Sequence, residues 1–524
     1  MNECYIFGHR NPDTDSVCSA IGLSYLKNKL GYNTRPCVLS SISLETQYVL
    51  DYFNVPEPMF LNDVKMKVSD LDYYHDFYIN DNSSIYDAFL KMRSLEVSKV
   101  PVVDKNKKLL GMISMTSISR RIISDNNMVI DAIYKDIVSV LDGKSIIKID
   151  NHIIGRVRLF NSNSNYNSND IVIVNNTDNI KQLDKVKMII VPNNYNVDSS
   201  MFKNRVNVIV SSLDSLEIAN RIIFCNSIKL LVNNYKVEPI LDSMTFDDFV
   251  KVNNHYCYSY YPVVNKDNEC VGLIKYANID FNKKKDVILV DHNSYEQSAI
   301  GLEEANILEV VDHHNISNII TNNPINFRNM PLGSTCTIVY MMFKENNITI
   351  SKKMAGVLLS GILSDTLVLN SPTTTKIDSD AVNHLAKLCK VDYKKYGFDM
   401  INYGSNLANK SKEEILYNDF KKYSTNSGKI GLGQIYSTDI SNIKKELSEY
   451  IDMLNKVKKD GDYVFVCLFI TDIIKNGTYV IYSDGAKNIL DSAFSDNISE
   501  CYFFPQILSR KLQVLPSILN VMNS

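Results

Sequence analysis

The chain has 524 residues, 45% of them hydrophobic and 22% charged, with a net charge of −3. At about 150 residues per domain this predicts three or four units, each with its own core. The balanced charge excludes the strongly basic surface that nucleic acid or an anionic membrane selects, and no apolar run is long enough to span a bilayer.

The N-terminus runs at once into a charged turn, so no secretory signal is expected. Ten scattered cysteines without a CxxC pair predict a reduced, cytoplasmic protein. Cys4 to Phe7 is an apolar run of strand length, followed by Gly8-His9-Arg10-Asn11-Pro12-Asp13-Thr14-Asp15-Ser16. Val17, Ala20, Ile21, Leu23 and Leu26 then fall at helical spacing. The stretch is a strand-to-helix turn carrying one imidazole and two carboxylates. Pro12 and the Asx content suit a turn, and Asp15 or Ser16 could cap the helix. By itself the stretch reads equally well as a structural turn or a metal site. Pro36 to Leu39 follows as a strand and Leu44 to Phe53 as a helix, closed by Pro56 and Pro58.

Residues 64–125 change character. Ser84 to Arg93 reads as an amphipathic helix, Val100 to Asp104 as a strand, Asp104 to Lys107 as a turn and Leu109 to Ser114 as a strand, with a helix from Thr116. Residues 236–280 repeat the plan: helix Phe246 to Val252, strand Tyr261 to Val264, turn Lys266 to Glu269, strand Cys270 to Lys275. Two copies of one module are predicted. Between them, Ile171 to Val174, Met188 to Val191 and Val206 to Val210 read as buried strands, and Ser215 to Phe224 as a helix.

Residues 285–395 return to the opening pattern. Val287 to Val290 runs into Asp291-His292-Asn293, and Ile307 to Val311 runs into Asp312-His313-His314. The apolar stretch Met354 to Leu363 leads to Asp365. Apolar strands alternating with helices indicate a parallel sheet covered on both faces. The first 60 or so residues and this segment are predicted to form one domain around an insertion. In the last unit, Glu413 to Lys422 and Ile440 to Val457 read as helices. Tyr463 to Thr471 and Tyr479 to Ser483 read as antiparallel strands.

Ligands of an open parallel sheet bind beyond the carboxyl ends of its strands. Three strand ends here carry His or Asp. So many carboxylates at one edge would repel one another unless cations held them. Mixed imidazole and carboxylate donors suit Mn²⁺, Co²⁺ or Mg²⁺. Four of the eight histidines fall in these stretches. His292 and the other four, His75, His152, His255 and His384, are expected to be structural.

His9-x-Asn-Pro-Asp-x-Asp, Asp291-His-Asn, Asp312-His-His and Gly361-Ile-Leu-Ser-Asp365-Thr resemble the motifs of DHH phosphoesterases, and more narrowly of family II inorganic pyrophosphatases. Ser509-Arg510-Lys511 is similar to the motif of that family's C-terminal DHHA2 domain. The repeated module resembles a CBS domain, and the segment between the copies resembles a DRTGG module. The resemblance implies an α/β protein: a DHH parallel-sheet domain (1–63 and 285–398) and a DHHA2 domain (399–524), with an insertion of CBS (64–125), DRTGG-like (126–235) and CBS (236–284) parts.

The resemblance also implies hydrolysis of pyrophosphate to two phosphates by a metal-bridging hydroxide. His9 and Asp13 would bind one metal, and Asp15, His313 and Asp365 the other, with Asp291 bridging. Mn²⁺ or Co²⁺ would fill these sites and Mg²⁺ would arrive with substrate. His314 would contact the phosphoryl group, and Lys421, Arg510 and Lys511 the remaining phosphate. The CBS pair implies an adenine nucleotide (AMP, ADP, ATP or a diadenosine polyphosphate) at Ser98, Lys99, Val100, Pro101, Ser114, Ser117, Tyr261, Lys275 and Tyr276. It also implies a homodimer through the CBS region and the catalytic domain.

The chain departs from the family pattern at Ser294, where Glu is frequent, and at Leu515, where the pattern has Pro. It also has Ser117 in place of a ribose-binding Asp and Lys275-Tyr276-Ala277 after Gly272-Leu273-Ile274. Three alternatives stay open: a DHH phosphoesterase acting on a nucleotide or polyphosphate, a catalytically inactive nucleotide sensor, and a CBS pair kept only as a scaffold.

Overall fold

The computed structural model describes residues 3–523 apart from 125–127, 176–179, 181–182, 203–205, 233–237, 406–409 and 438–439. The chain divides into two compact units: residues 1–65 with 284–524, and residues 66–283. The expected boundaries at 125/126 and 235/236 lie outside the described residues. The one at 398/399 falls inside the helix Tyr393–Ser405.

The first unit opens on a six-stranded sheet, wholly parallel. Its order is Asn326–Asn329, Asn306–Asp312, Asp286–Val290, Cys4–Phe7, Thr34–Val38, Met59–Phe60. The order reverses beside Cys4–Phe7, which makes a crevice at the carboxyl ends of Cys4–Phe7 and Asp286–Val290. Helices Thr14–Lys29, Thr335–Glu345 and Lys352–Asp365 cover one face. They bury Leu23, Leu26, Ile338 and Leu358 in a common core with Ile6 and Val290. The opening helix is capped by Asp13 rather than by Asp15 or Ser16: Asp13 is in extended backbone and its Oδ1 accepts from the Ser16 amide at 2.9 Å. A cap of this kind contributes about 1 kcal/mol, and it leaves Asp15 in the first helical turn.

The C-terminal part of this unit is a five-stranded sheet, Phe420–Thr425, Gly428–Ser437, Tyr463–Asp472, Gly477–Tyr482 and Tyr502–Pro505. Only the second and third strands pair in parallel. The predicted helix Glu413 to Lys422 is therefore corrected: the helix is Lys412–Tyr417, and Lys421 lies on a strand. Phe420 packs on one face and Tyr423 on the other, a period of two that no helix accommodates. The phenyl ring of Phe420 fills the space that a side chain at Gly431 would occupy. The predicted helix Ile440 to Val457 breaks at Glu446 into Ser441–Lys445 and Leu447–Asp460.

In the second unit the two modules have the same plan. Helix Ile85–Ser94 precedes strands Lys99–Val103 and Leu109–Ser114; helix Phe246–Tyr256 precedes Tyr260–Val264 and Cys270–Lys275. Their turns meet: the Leu109 amide donates to Asn268 O at 3.3 Å and the Cys270 amide to Lys107 O at 2.9 Å. Between them in sequence lies a six-stranded sheet centred on Asp170–Ile173 and Met188–Val191, both wholly buried. No helix among the described residues is long and apolar enough to cross a membrane.

Candidate active site

Three parallel strands deliver side chains to one sheet edge: His9 follows Phe7 by two positions, Asp291 follows Val290, and His313 follows Asp312. Asp291 has φ +61°, a left-handed conformation costing roughly 1 kcal/mol that Asp tolerates better than most residues. It is 1% exposed. Asp365 is the last residue of helix Lys352–Asp365, and the chain then turns through three left-handed residues, Leu367, Val368 and Leu369.

These groups form one cluster. Asp15, Asp291, His313 and Asp365 offer donor atoms close enough together to surround an ion, and so do His9, Asp13 and Asp291. A third set is Asp291, His313 and His314. Asp291 belongs to all three. His9 Nε2 lies 3.2 Å from Asp13 Oδ2 and 3.5 Å from Asp291 Oδ2. His313 Nε2 lies 3.4 Å from Asp291 Oδ1 and 3.3 Å from Asp365 Oδ2.

The surroundings hold each donor in place. Asp15 is fully buried and sits at the N-terminus of helix Thr335–Glu345. It accepts from the Thr335 amide at 2.7 Å, the Cys336 amide at 3.0 Å and Ser334 Oγ at 2.6 Å. The helix dipole adds to this. A Cβ at Gly361 would run into Asp15 Oδ1 and Cys336 Sγ, so only glycine lets the two helices approach this closely. Thr335 Oγ1 donates to Asp291 Oδ1 at 2.9 Å. His313 Nδ1 donates to Leu332 O at 3.0 Å, which turns Nε2 toward the carboxylates. Asp312 is an organiser and belongs to none of the three sets: its Oδ1 accepts from the His313 amide, the His314 amide and His314 Nδ1 at 2.8–3.1 Å. His314 then presents its other edge outward, with the side chain 52% exposed.

The charges are strongly coupled. Burial pushes the Asp15 carboxyl up to about 6, and the neighbouring Asp291 charge adds to it. Burial also pushes Asp365 well above its ordinary range, with Asp15 and Asp13 adding. At Asp291 burial is outweighed by the close imidazoles of His313 and His9, which hold it far below that range. At His9 and His313 burial is likewise outweighed, here by the carboxylates, and both rise to about 10. The cluster demands positive charge. Among the described residues, Asp291 Oδ2 and His313 Nε2 are buried without a hydrogen-bond partner. Buried polar atoms without a partner, in an oxygen-rich set with imidazole and no thiolate, fit divalent cations such as Mn²⁺, Co²⁺ or Mg²⁺.

The model of the DHH family, N-terminal domain, matches residues 3–362, and that of the DHHA2 domain matches residues 399–521. A cobalt-dependent inorganic pyrophosphatase of Clostridium perfringens is 31% identical over 99% of this chain and 98% of its own length. The chain belongs to the DHH family of inorganic pyrophosphatases. A probable manganese-dependent inorganic pyrophosphatase of Thermotoga maritima is 28% identical over 100% of this chain and 99% of its own. The solved CBS and DRTGG domains of the regulatory region of Clostridium perfringens pyrophosphatase, complexed with the activator diadenosine tetraphosphate, cover 40% of this chain and 100% of theirs at 22% identity. Their TM-score is 0.37.

The DHHA2 domain bounds a cleft of about 380 Å³ with the DHH domain. Asp13, Glu45 and Ser364 line it from the DHH side, and Asn418 and Tyr436 from the DHHA2 side. Lys421, Arg510 and Lys511 are not among its lining. Burial pushes the Tyr436 hydroxyl up to about 12, and the charges of Asp419, Arg510 and Asp365 all act on it. Arg510 is 5% exposed and already engaged. Its Nη2 donates to both carboxylate oxygens of Asp419 at 2.9 and 2.8 Å, and its Nη1 to Asp419 O at 2.5 Å and Leu432 O at 3.0 Å. Nε alone is left, buried and without a partner among the described residues. Lys421 and Lys511 are exposed. Strand alternation puts Lys421, not Lys422, on the face of Tyr423, where Val514 and Ile518 pack.

The nucleotide residues fare unevenly. Tyr261 is fully buried against Phe249, its hydroxyl donating to Asn253 Oδ1 at 2.6 Å, and Val100 is fully buried too. Their side chains are unavailable to a ligand, because both faces of these strands are covered. Pro101 is also buried. Ser117 and Ser114 bond each other: Ser117 Oγ donates to Ser114 O at 2.7 Å, and the Ser117 amide donates to Ser114 Oγ at 3.0 Å. Ser98, Lys99 and Tyr276 keep some surface, and Lys275 lines a cavity of about 310 Å³ with Asp72, Tyr73, Tyr74 and Asn278.

Sequence reasoning misses Ser334 and Thr335, although Gly333-Ser334-Thr335 ahead of an apolar run is a helix-start signal that could have found them. It also misses Glu45 and Asp419, for which no local signal exists.

Proposed function

We propose that this protein is a divalent-metal-dependent inorganic pyrophosphatase. The observation that carries this reading is the position of Asp291. It is shared by all three ion-sized donor sets among the described residues, and its own Oδ2 and the His313 Nε2 are buried without a hydrogen-bond partner there. His9 and Asp13 would hold one ion and Asp15, His313 and Asp365 the other, with Asp291 offering a donor to each. Bound divalent ions supply Lewis acidity toward phosphoryl oxygens and make water more acidic. His314, oriented by Asp312, offers its outer nitrogen to the phosphoryl group. Lys421 and Lys511 supply point charges, and Arg510 its remaining Nε–H, for a compact and highly anionic substrate. Glu45, Ser364 and Tyr436 line the cleft beside Asp13.

Mg²⁺ enters with the pyrophosphate. The enzyme works in the cytoplasm as a homodimer, and its paired CBS-like modules bind an adenine nucleotide that alters the rate. Phosphate release from pyrophosphate, with Mn²⁺ or Co²⁺ plus Mg²⁺, is the test. Folded protein that releases no phosphate above a metal-only control refutes the reading. Faster turnover of a polyphosphate or an oligonucleotide than of pyrophosphate would transfer the site to the second reading, a phosphoesterase.

A further inference from the structure

Glu45 lies in the first turn of helix Leu44–Phe53, on the wall of the cleft. It belongs to none of the ion-sized donor sets among the described residues. Its Oε1 accepts from two hydroxyls, Thr14 Oγ1 at 2.7 Å and Ser364 Oγ at 2.5 Å. Thr14 stands between Asp13 and Asp15. Ser364 immediately precedes Asp365. One carboxylate oxygen therefore spans the two segments that bring three of the proposed metal ligands, two from a turn and one from a helix end. Those segments are about 350 residues apart in sequence.

The contact is supported from behind. Gly404, on helix Tyr393–Ser405, comes so close that a Cβ there would lie 2.6 Å from Glu45 Cβ. Thr14 Oγ1 also lies 3.2 Å from Thr46 Oγ1 on the same helix as Glu45. A carboxylate in this position is costly, since burial disfavours its charge and Asp13 repels it. An apolar residue would fill the wall more cheaply, so a role for the acceptor itself is indicated.

We infer that Glu45 is a positioning residue of the metal centre: by accepting from Thr14 and Ser364 at once, it fixes the spacing between the Asp13–Asp15 turn and Asp365. It acts through those hydroxyls and touches neither metal nor substrate. The inference rests on the metal-centre reading above.

The test is Mn²⁺ titration by calorimetry on the full chain, for wild type, Glu45→Ala, Glu45→Gln and Ser364→Ala. Melting in excess chelator reports the metal-free fold separately. Loss of an outer partner typically weakens metal binding by about tenfold or more, and that is expected for Glu45→Ala. Glu45→Gln keeps an acceptor oxygen and should stay close to wild type. Ser364→Ala removes one donor without touching Glu45 and should weaken binding in the same direction. Wild-type affinity in Glu45→Ala overturns the inference, as does Glu45→Gln binding as poorly as Glu45→Ala. Where Glu45→Ala fails to fold, wild-type affinity in Ser364→Ala and in Thr14→Val overturns it. Absence of Mn²⁺ binding by the wild type would instead sink the metal-centre reading itself.

Discussion

Asp419 grips the guanidinium of Arg510 with both carboxylate oxygens, at 2.9 and 2.8 Å, and adds its own carbonyl to the other end of the fork. The pair ties the start of strand Phe420–Thr425 to the turn ahead of the last helix. Arg510 is buried, while the Asp419 side chain is 44% exposed, so solvent screens part of the attraction. Replacing Asp419 with Ala leaves a buried cation with carbonyl partners only. A loss of about 1.5–2 kcal/mol is expected, near the lower end for hydrogen bonds to charged groups. Urea unfolding monitored at the C-terminal sheet measures it, and an unchanged midpoint would show that the pair is incidental.

Asp291 is the residue whose loss should matter most. Asp291→Asn keeps the left-handed backbone tolerable, whereas Asp291→Ala adds backbone strain to the loss of a donor. Asn is therefore the cleaner variant. Because Asp291 enters every ion-sized donor set among the described residues, Mn²⁺ affinity should fall by more than the roughly 10–100-fold that an outer partner costs. Equilibrium dialysis with metal analysis decides this; two ions retained at wild-type affinity would remove Asp291 from the centre.

The residues of the DHH half were legible because their signals are local. Cys4 to Phe7 and Val287 to Val290 are unbroken apolar runs ending in His or Asp motifs, and Leu44–Phe53 has an uninterrupted helical period. Elsewhere the decisive partner is distant in sequence. Strand Gly428–Ser437 is diluted by Gly431 and Gly433, whose lack of a side chain matters only because Phe420 and Leu416 fill the space. Tyr261 fits a ligand-contact motif, but Phe249 and Asn253 of the preceding helix claim its ring and hydroxyl. Asp419 and Glu45 carry no signal of their own. Their meaning comes from Arg510, 91 residues away, and from Ser364, 319 residues away.

Removing metal should destabilise the unit that holds the cluster. Without cations, the charge on Asp15, Asp291 and Asp365 is offset by the imidazoles of His9, His313 and His314 and by hydrogen bonds from Ser334, Thr335 and Cys336. An ion present at 100 times its dissociation constant stabilises a protein by about 2.7 kcal/mol. In a domain of this size that corresponds to roughly 5 °C or more in melting temperature. Calorimetry with Mn²⁺ and then with excess chelator reads the difference. Identical transitions would mean that the carboxylates are satisfied without an ion.

Lys275 gives the proposed nucleotide binding by residues 66–283 its sharpest test. The buried side chains of Val100 and Tyr261 and the mutually bonded Ser114 and Ser117 leave few charged groups to meet a phosphate there. Lys275 lines a cavity of about 310 Å³ beside Tyr73, Tyr74 and Asn278, where an ammonium can meet a phosphate and the tyrosine rings can meet a base. If an adenine nucleotide occupies this cavity, Lys275→Ala removes a charge-assisted hydrogen bond worth about 1.5–3 kcal/mol, or roughly tenfold or more in affinity. Calorimetric titration of the full chain with AMP, ADP and ATP measures this, with pyrophosphate turnover followed in parallel. Binding that is equally tight in Lys275→Ala would place the nucleotide elsewhere. No binding heat and an unchanged rate in the wild type would leave the CBS-like pair as a scaffold.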